Sequence, residues 1–343
     1  MRAVVVREHG GVEVLRHEAR DVPEPGPFEV RVAIRAAGLN HLDTWVRRGV
    51  PGHQFPLPLV VGSDGSGVVD AIGPGVRTHA VGAEVLLVPG TSCGQCEACT
   101  NGHDPLCRDY HILGESRDGT CAEYVVLPAR NALPKPANLD FEQAASFALV
   151  FQTSWSMLVD KARLQPGETV LVQAGGSGVG MAAVQIAKSF GATVIATAGT
   201  DAKCQRVLDL GADHAIQYTK EDFAKSVKQL TDRRGVDVVF EHVGGETFQR
   251  SVRCLKWGGR LVTCGATTGG KVEINLHELF FKNIALVGST GGSLGSMPRI
   301  LRLFESGRLR PVIDRVIGFD EIAQGHEALE GREVFGKIVV RVS

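Results

Sequence analysis

The sequence predicts an α/β chain of two domains, a β-rich one and a doubly wound parallel sheet. Three observations predict it. A β-α rhythm begins after Pro166-Gly167 and runs to about Gly288. A glycine-rich turn, Ala174 to Gly180, joins the first strand of that rhythm to its first helix. The first ~150 residues instead carry short β-type runs broken by turns, without intervening helices.

In the first 150 residues, Val30-Arg31-Val32-Ala33-Ile34 alternates with period two. Val68-Val69, Val85 to Val88 and Glu123 to Leu127 are further short strands, separated by turns such as Pro25-Gly26-Pro27 and Pro74-Gly75. Phe141 to Arg163 reads as helical. Strands are then expected at 169–174, 193–198, 214–217, 236–241, 260–264 and 284–289, with helices at 179–190, 202–210, 221–231 and 246–256. Gly191 and Gly211 follow two of those helices as C-terminal caps should. Six strands with mostly helical crossovers describe a doubly wound dinucleotide fold. The tail holds two helices, 297–306 and 320–330, and a lone strand from Lys337 to Val342, which is expected to return to the first domain. The division that results is 1–150 with 289–343, and 151–288.

Bulk properties exclude several function classes. A formal net charge of −1 and no basic run argue against nucleic acid or an anionic membrane as partner. No apolar run approaches the ~20 residues that span a bilayer, and Glu8 and His9 interrupt the N-terminal apolar stretch that a signal peptide needs. A cytoplasmic protein is expected, in which the eight cysteines are metal ligands or buried thiols rather than disulfides.

Gly175, Gly176, Ser177, Gly178, Val179 and Gly180 form a Gly-x-Ser-x-x-Gly turn between Val170-Leu171-Val172 and the helix from Met181. Small residues let the backbone approach a pyrophosphate, and the helix N-terminus faces the anion. An NAD site places an acid at the end of the second strand. Here that strand ends at Ala198, followed by Gly199-Thr200-Asp201-Ala202-Lys203. A small residue with Lys203 nearby suits a 2′-phosphate, so NADPH is expected, with NADH as the alternative. Asp201 weighs the other way but is expected to cap the next helix.

Cys93, Cys96, Cys99 and Cys107 lie at x2, x2 and x7 spacings in a polar stretch, Thr91 to Asp109. Four thiolates so spaced suit tetrahedral Zn²⁺, and a closed four-sulfur shell makes it a structural ion. Cys121, Cys204, Cys254 and Cys264 read as small buried residues.

In this order of parts the chain resembles the zinc-type alcohol dehydrogenases and their quinone oxidoreductase relatives, within the medium-chain dehydrogenase/reductase superfamily. Gly62-Ser63-Asp64-Gly65-Ser66-Gly67, the cysteine lobe, Gly175 to Gly180 and Gly336-Lys337-Ile338-Val339-Val340 carry the resemblance. It implies a GroES-like catalytic domain, a Rossmann domain and a cleft between them. It also implies where a catalytic zinc would be held, and those positions fall on Asn40, Ser63 and near Leu149, none a good Zn²⁺ ligand. Asn40 looks like the quinone oxidoreductase branch, which works without that metal. By the same resemblance Lys203 and Tyr218 grip a 2′-phosphate, Lys337 reaches the cofactor phosphates, and Thr153 joins the cofactor contacts. A homodimer or tetramer through the strand Ile284 to Gly288 is implied as well.

Without a Lewis acid, hydride transfer needs an activated acceptor: an enone, a quinone or an enoyl thioester. The site then supplies a hydrogen-bond donor or a proton. His242, at the carboxyl end of a parallel strand, and Glu115, after the cysteine lobe, are the candidates, with Asn40 as a further polar contact. The segments of Glu115 and His242 are similar to crotonyl-CoA carboxylase/reductases, although Gly114 replaces a bulky aromatic and argues against carboxylation. The expectation is that Glu115 and His242 face each other across the cleft. The competing readings are a surface Glu and a His that satisfies a loop carbonyl. Asp43 is expected to brace its domain through an ion pair. Two other functions compete with the reductase: an NAD(P)-dependent alcohol dehydrogenase or ketone reductase, and a cofactor-binding protein without catalysis.

Overall fold

The computed structural model describes all 343 residues. It divides into two compact units, one of Met1–Leu149, Ser293–Glu305 and Arg310–Ser343, the other of Val150–Gly292 and Ser306–Leu309.

The first unit is built on the strand Glu29–Leu39, whose alternating half embeds Val30, Val32 and Ile34 in the core. It pairs antiparallel with Asp64–Ile72, with Tyr124–Pro128 and with the C-terminal strand Lys337–Arg341. Glu84–Leu87 and Ala132–Pro134 extend one side of this sheet. The C-terminal strand therefore returns to the first unit, as its isolation in the sequence suggested. Its outer neighbour is a strand the sequence reading passes over, Ile313–Gly318, paired parallel to it. That strand lies at the sheet's edge with its side chains half-buried or exposed, so its charged Asp314 and Arg315 hide the period-two signal.

In the second unit six parallel strands run in the order His214–Gln217, Thr193–Ala198, Thr169–Val172, Val236–Glu241, Leu255–Thr263, Ala285–Gly288. In the unit's own numbering this is 3-2-1-4-5-6, the doubly wound order, and the switch point lies between Thr169–Val172 and Val236–Glu241. Ligands bind outside the carboxyl ends of the strands at such a point, where the chain places the glycine turn and His242. Leu171, Ile195, Ile216, Val239 and Leu261 build the core against Phe223, Val227 and Phe248. Ala285–Gly288 ends the sheet.

The stretch expected as one helix from Phe141 is three pieces: Phe141–Ala144, Ala148–Trp155 and a wide turn of helix over Ser156–Lys161. The first break, over 145–147, contains Ser146, whose hydroxyl donates back to the carbonyl of Gln143 at 2.7 Å. The next residue, Phe147, is buried and stacks on Phe304 with 4.0 Å between ring centroids. Local hydroxyl bonding and tertiary packing override the helical period there. No helix is long and apolar enough to cross a membrane.

Candidate functional site

The four cysteines converge. Their sulfurs all lie within 4.8 Å of one another, with 3.6 Å between Cys96 and Cys99, 3.6 Å between Cys93 and Cys107, and 3.9 Å between Cys93 and Cys99. Zn–S bonds of about 2.3 Å in a tetrahedron place sulfurs about 3.8 Å apart, so the cage fits a zinc ion and is far from disulfide bonding. Backbone amides of Gln95 and Cys96 lower the Cys93 thiol, which favours a thiolate there, while against the pull of the Cys99 amide the sulfurs around Cys96, Cys99 first, raise that thiol. The lobe is tied into its unit through Asp104, which accepts from the hydroxyl of Ser293 at 2.6 Å and the amide of Leu294 at 3.0 Å.

At Asn40 and beside Ser63, two positions the resemblance gives to a catalytic zinc, the sheet register decides the chemistry. Gly38 pairs with Asp64 and Leu39 with Ile338, so Asn40, Asp64 and Lys337 are brought side by side. The Lys337 ammonium donates to Asp64 Oδ2 at 2.9 Å and to Asn40 Oδ1. Asn40 Nδ2 donates to the carbonyl of Gly38 at 3.2 Å and to Asp64 Oδ2 at 3.1 Å. The other Asp64 oxygen accepts from the amide of Leu149 at 2.7 Å. Lys337 and Asp64 are buried, at 2% and 0% side-chain exposure.

The Lys337 ammonium is turned onto Asp64 and Asn40 inside its own unit, because a buried carboxylate demands a cation. Asn40 has both amide hydrogens engaged. Asp43 departs from its expected ion pair. It is a helix cap, with Oδ2 accepting the amide of Asn40 at 2.7 Å ahead of His41–Arg48. Burial pushes its carboxyl up to about 7 against the pull of that amide, which disfavours the charge an ion pair needs.

Glu115 is half-buried in the first unit, its Oε2 accepting from Ser116 at 2.9 Å. Its Oε1 lies 3.7 Å from Nε2 of His53, a residue the sequence reading passes over because a lone His in a Pro- and Gly-rich loop carries no signal.

In the second unit Ser177 caps Gly178–Ser189 by accepting the amide of Gly180 at 3.0 Å, and donates its own proton to the carbonyl of Ala174 at 2.8 Å. His242 Nε2 lies 3.0 Å from the carbonyl of Gln173 and 3.3 Å from Ser177 Oγ. Since the carbonyl can only accept and the hydroxyl proton is already placed, Nε2 carries the ring proton. The imidazole thus bonds the carbonyl of Gln173 and stands beside the Ser177 hydroxyl that caps the glycine turn. Just before it, Glu241 is buried at the end of its strand and accepts from Thr247 Oγ1 at 2.6 Å and the amide of Gly244 at 2.9 Å. Burial raises its carboxyl, with those donors opposing. It fixes the turn that carries His242; a charged residue closing an apolar strand was the signal to look for.

Past the second strand, Thr200 rather than Asp201 caps Asp201–Asp209, accepting the amide of Lys203 at 3.2 Å. Asp201 instead pairs with Lys220 at 2.6 Å. Tyr218 is half-exposed, its hydroxyl close over Gly199. Thr153 is buried within Ala148–Trp155.

Residues 26–137 match the alcohol dehydrogenase GroES-like domain, and residues 178–306 the zinc-binding dehydrogenase family. A quinone oxidoreductase of Pseudomonas aeruginosa is 33% identical over 344 residues, 97% of each chain. The chain belongs to the medium-chain dehydrogenase/reductase superfamily. As a member it is an oxidoreductase, and NAD(P) is the cofactor class of that family. A crystal structure of an NAD-dependent alcohol dehydrogenase is similar over the whole of both chains, at TM-score 0.96 and 51% identity. A crotonyl-CoA carboxylase/reductase in complex with NADP is similar over 100% of this dehydrogenase/reductase and 95% of that chain, at TM-score 0.92 and 27% identity.

Proposed function

We propose that this oxidoreductase is an NADPH-dependent reductase of activated C=C or C=O bonds, in enones, quinones or enoyl thioesters, and that it works without a catalytic zinc. The observation that carries the reading is the set formed by Asn40, Asp64 and Lys337. An amide stands where a thiolate ligand would be and a serine where an imidazole would be; beside them a carboxylate is already paired with a buried ammonium, and that ammonium would repel a dication. The donor set does not fit the metal. Bound NADPH would supply the hydride. As it reaches the electrophilic carbon, charge moves onto the conjugated oxygen, and a proton follows. In this reading Glu115, with Ser116 and His53 beside it, handles the proton. His242, through Gln173 and Ser177, holds the turn under the cofactor pyrophosphate. An activated acceptor supports such a division of labour, because its oxygen needs a proton but no Lewis acid.

A second reading is an NAD-dependent alcohol dehydrogenase, favoured by the name of the 51%-identical structure. Turnover with a panel of enones, quinones and aliphatic alcohols, run with both cofactors, separates the two. We expect enone or quinone reduction with NADPH to exceed alcohol oxidation by about a hundredfold or more, a barrier difference of roughly 2.7 kcal/mol. Alcohol turnover that dominates the panel and disappears with a second, chelatable zinc would overturn the proposal.

The cysteine cage holds one structural zinc in the same reading. Metal analysis should return one zinc per chain. Removing it should lower the thermal midpoint by about 10 °C or more, since a lobe without a core of its own depends on the ion. A metal-free chain that melts where the loaded one does would refute the site.

A further inference from the structure

We infer that Lys220 is a specificity-determining residue of the nucleotide site, one that releases Asp201 and takes the 2′-phosphate of NADPH. This rests on the NADPH reading above and adds to it a residue the sequence pattern did not pick out.

The geometry starts from the end of Thr193–Ala198, where a doubly wound fold places the adenosine ribose. Three bonds stitch the turn after His214–Gln217 onto that strand end. The amide of Tyr218 donates to the carbonyl of Ala198 at 3.1 Å, and Thr219 Oγ1 and Gln217 Nε2 donate to the carbonyl of Gly199 at 3.0 and 3.5 Å. The amide of Lys220 closes the turn on the carbonyl of Gln217 at 2.9 Å. A Cβ on residue 199 would sit 2.8 Å from the Tyr218 hydroxyl, so glycine is what lets the ring lie over the corner. Lys220 is thus held at the ribose corner by backbone, while its side chain, 62% exposed, stays free to swing.

The charges explain the pairing. Asp201 stands in the first turn of its helix and would repel a phosphate dianion approaching the strand end. Lys220 neutralises it at 2.6 Å. An exposed pair of this kind is weak, so a dianion that offers three acceptor oxygens is the better partner for the ammonium. Once Lys220 moves, Asp201 keeps the partial positive charge of the helix N-terminus as compensation. With NADH no phosphate arrives, the pair persists, and the ribose meets a neutral corner. The chain can therefore take either nucleotide, with Lys220 setting the preference for the phosphorylated one.

Dissociation constants for NADPH and NADH, from nicotinamide fluorescence titrations of the full-length chain, test this through the ratio of the NADH to the NADPH constant. Lys220→Ala should lower the ratio about tenfold, with the NADH constant within about threefold of wild type. Asp201→Asn should raise the ratio severalfold. A ratio within about twofold of wild type in Lys220→Ala overturns the assignment. A wild-type ratio below one overturns the NADPH reading itself, while a wild-type ratio above one that Lys220→Ala leaves unmoved overturns only the role of Lys220.

Discussion

Replacing Lys337 with Met should lower the free energy of unfolding by about 3–5 kcal/mol. Converting Asp64 to Asn in the same chain should restore most of the loss. The Lys337 ammonium and the Asp64 carboxylate sit 2.9 Å apart with essentially no exposure. Methionine fills the aliphatic volume of lysine, so packing changes little. What changes is charge: the carboxylate keeps only the Asn40 amide and the Leu149 amide as donors and becomes a buried, uncompensated anion. Nearby Asp43, also buried, loses a cation that lowers its carboxyl and gains nothing in return. The Asp64→Asn change removes the anion and keeps the shape, so a double-mutant cycle by urea denaturation should show a coupling well above the ~0.5 kcal/mol of independent sites. If Lys337→Met alone melts within about 1 kcal/mol of wild type, the set is not a closed electrostatic unit, and the case that it displaces a metal goes with it.

The legibility of such a network differs sharply from that of the elements around it. The strand Thr169–Val172, the glycine turn and the helix after it were readable because every signal is local: an apolar run, small residues, then a helical period. The cysteine cage was readable for the same reason, four ligands lying within fifteen residues of chain. Lys337 and Asp64 lie 273 positions apart. Nothing in either neighbourhood names the other. It is the register of three strands, 338 against 39 and 38 against 64, that makes them partners. The resemblance supplies a role for Lys337 on the cofactor, but only the sheet register supplies its partners. His242 shows the middle case. Its place at the carboxyl end of a parallel strand was legible, but the Gln173 carbonyl and the Ser177 hydroxyl that engage its ring lie across the sheet's switch point. The strand Ile313–Gly318 and the cap at Thr200 show how exposed edges and adjacent polar residues blur local signals. An edge strand need not alternate, and two neighbouring side chains can both read as a cap.

Gly180→Ala, a single methyl, should weaken NAD(P)H binding by about two orders of magnitude while zinc content and far-ultraviolet circular dichroism stay as in the wild type. A Cβ there would lie 2.2 Å from the carbonyl oxygen of Ala174 and 2.9 Å from Cα of Gly175. Neither obstacle can step aside cheaply. The Ala174 oxygen already accepts the Ser177 amide at 2.9 Å and its hydroxyl at 2.8 Å, and the Gly175 amide is fixed on the carbonyl of Thr197 at 2.7 Å. Room for the methyl therefore comes from moving the turn or sliding the helix Gly178–Ser189 away from its strand, at about 1–3 kcal/mol for an overpacked site. The fold can absorb that. The cofactor cannot, because pyrophosphate recognition depends on backbone amides aimed at one point from the helix N-terminus, and loosening several charge-assisted bonds together is what brings the loss to about a hundredfold. His242, attached to both Gln173 and Ser177, should shift with the turn, so the residual activity should show a raised KM for the cofactor before any fall in kcat. Titration calorimetry with NADPH and NADH decides it: a Kd within about threefold of wild type for both nucleotides would mean that the turn is not where the cofactor is held.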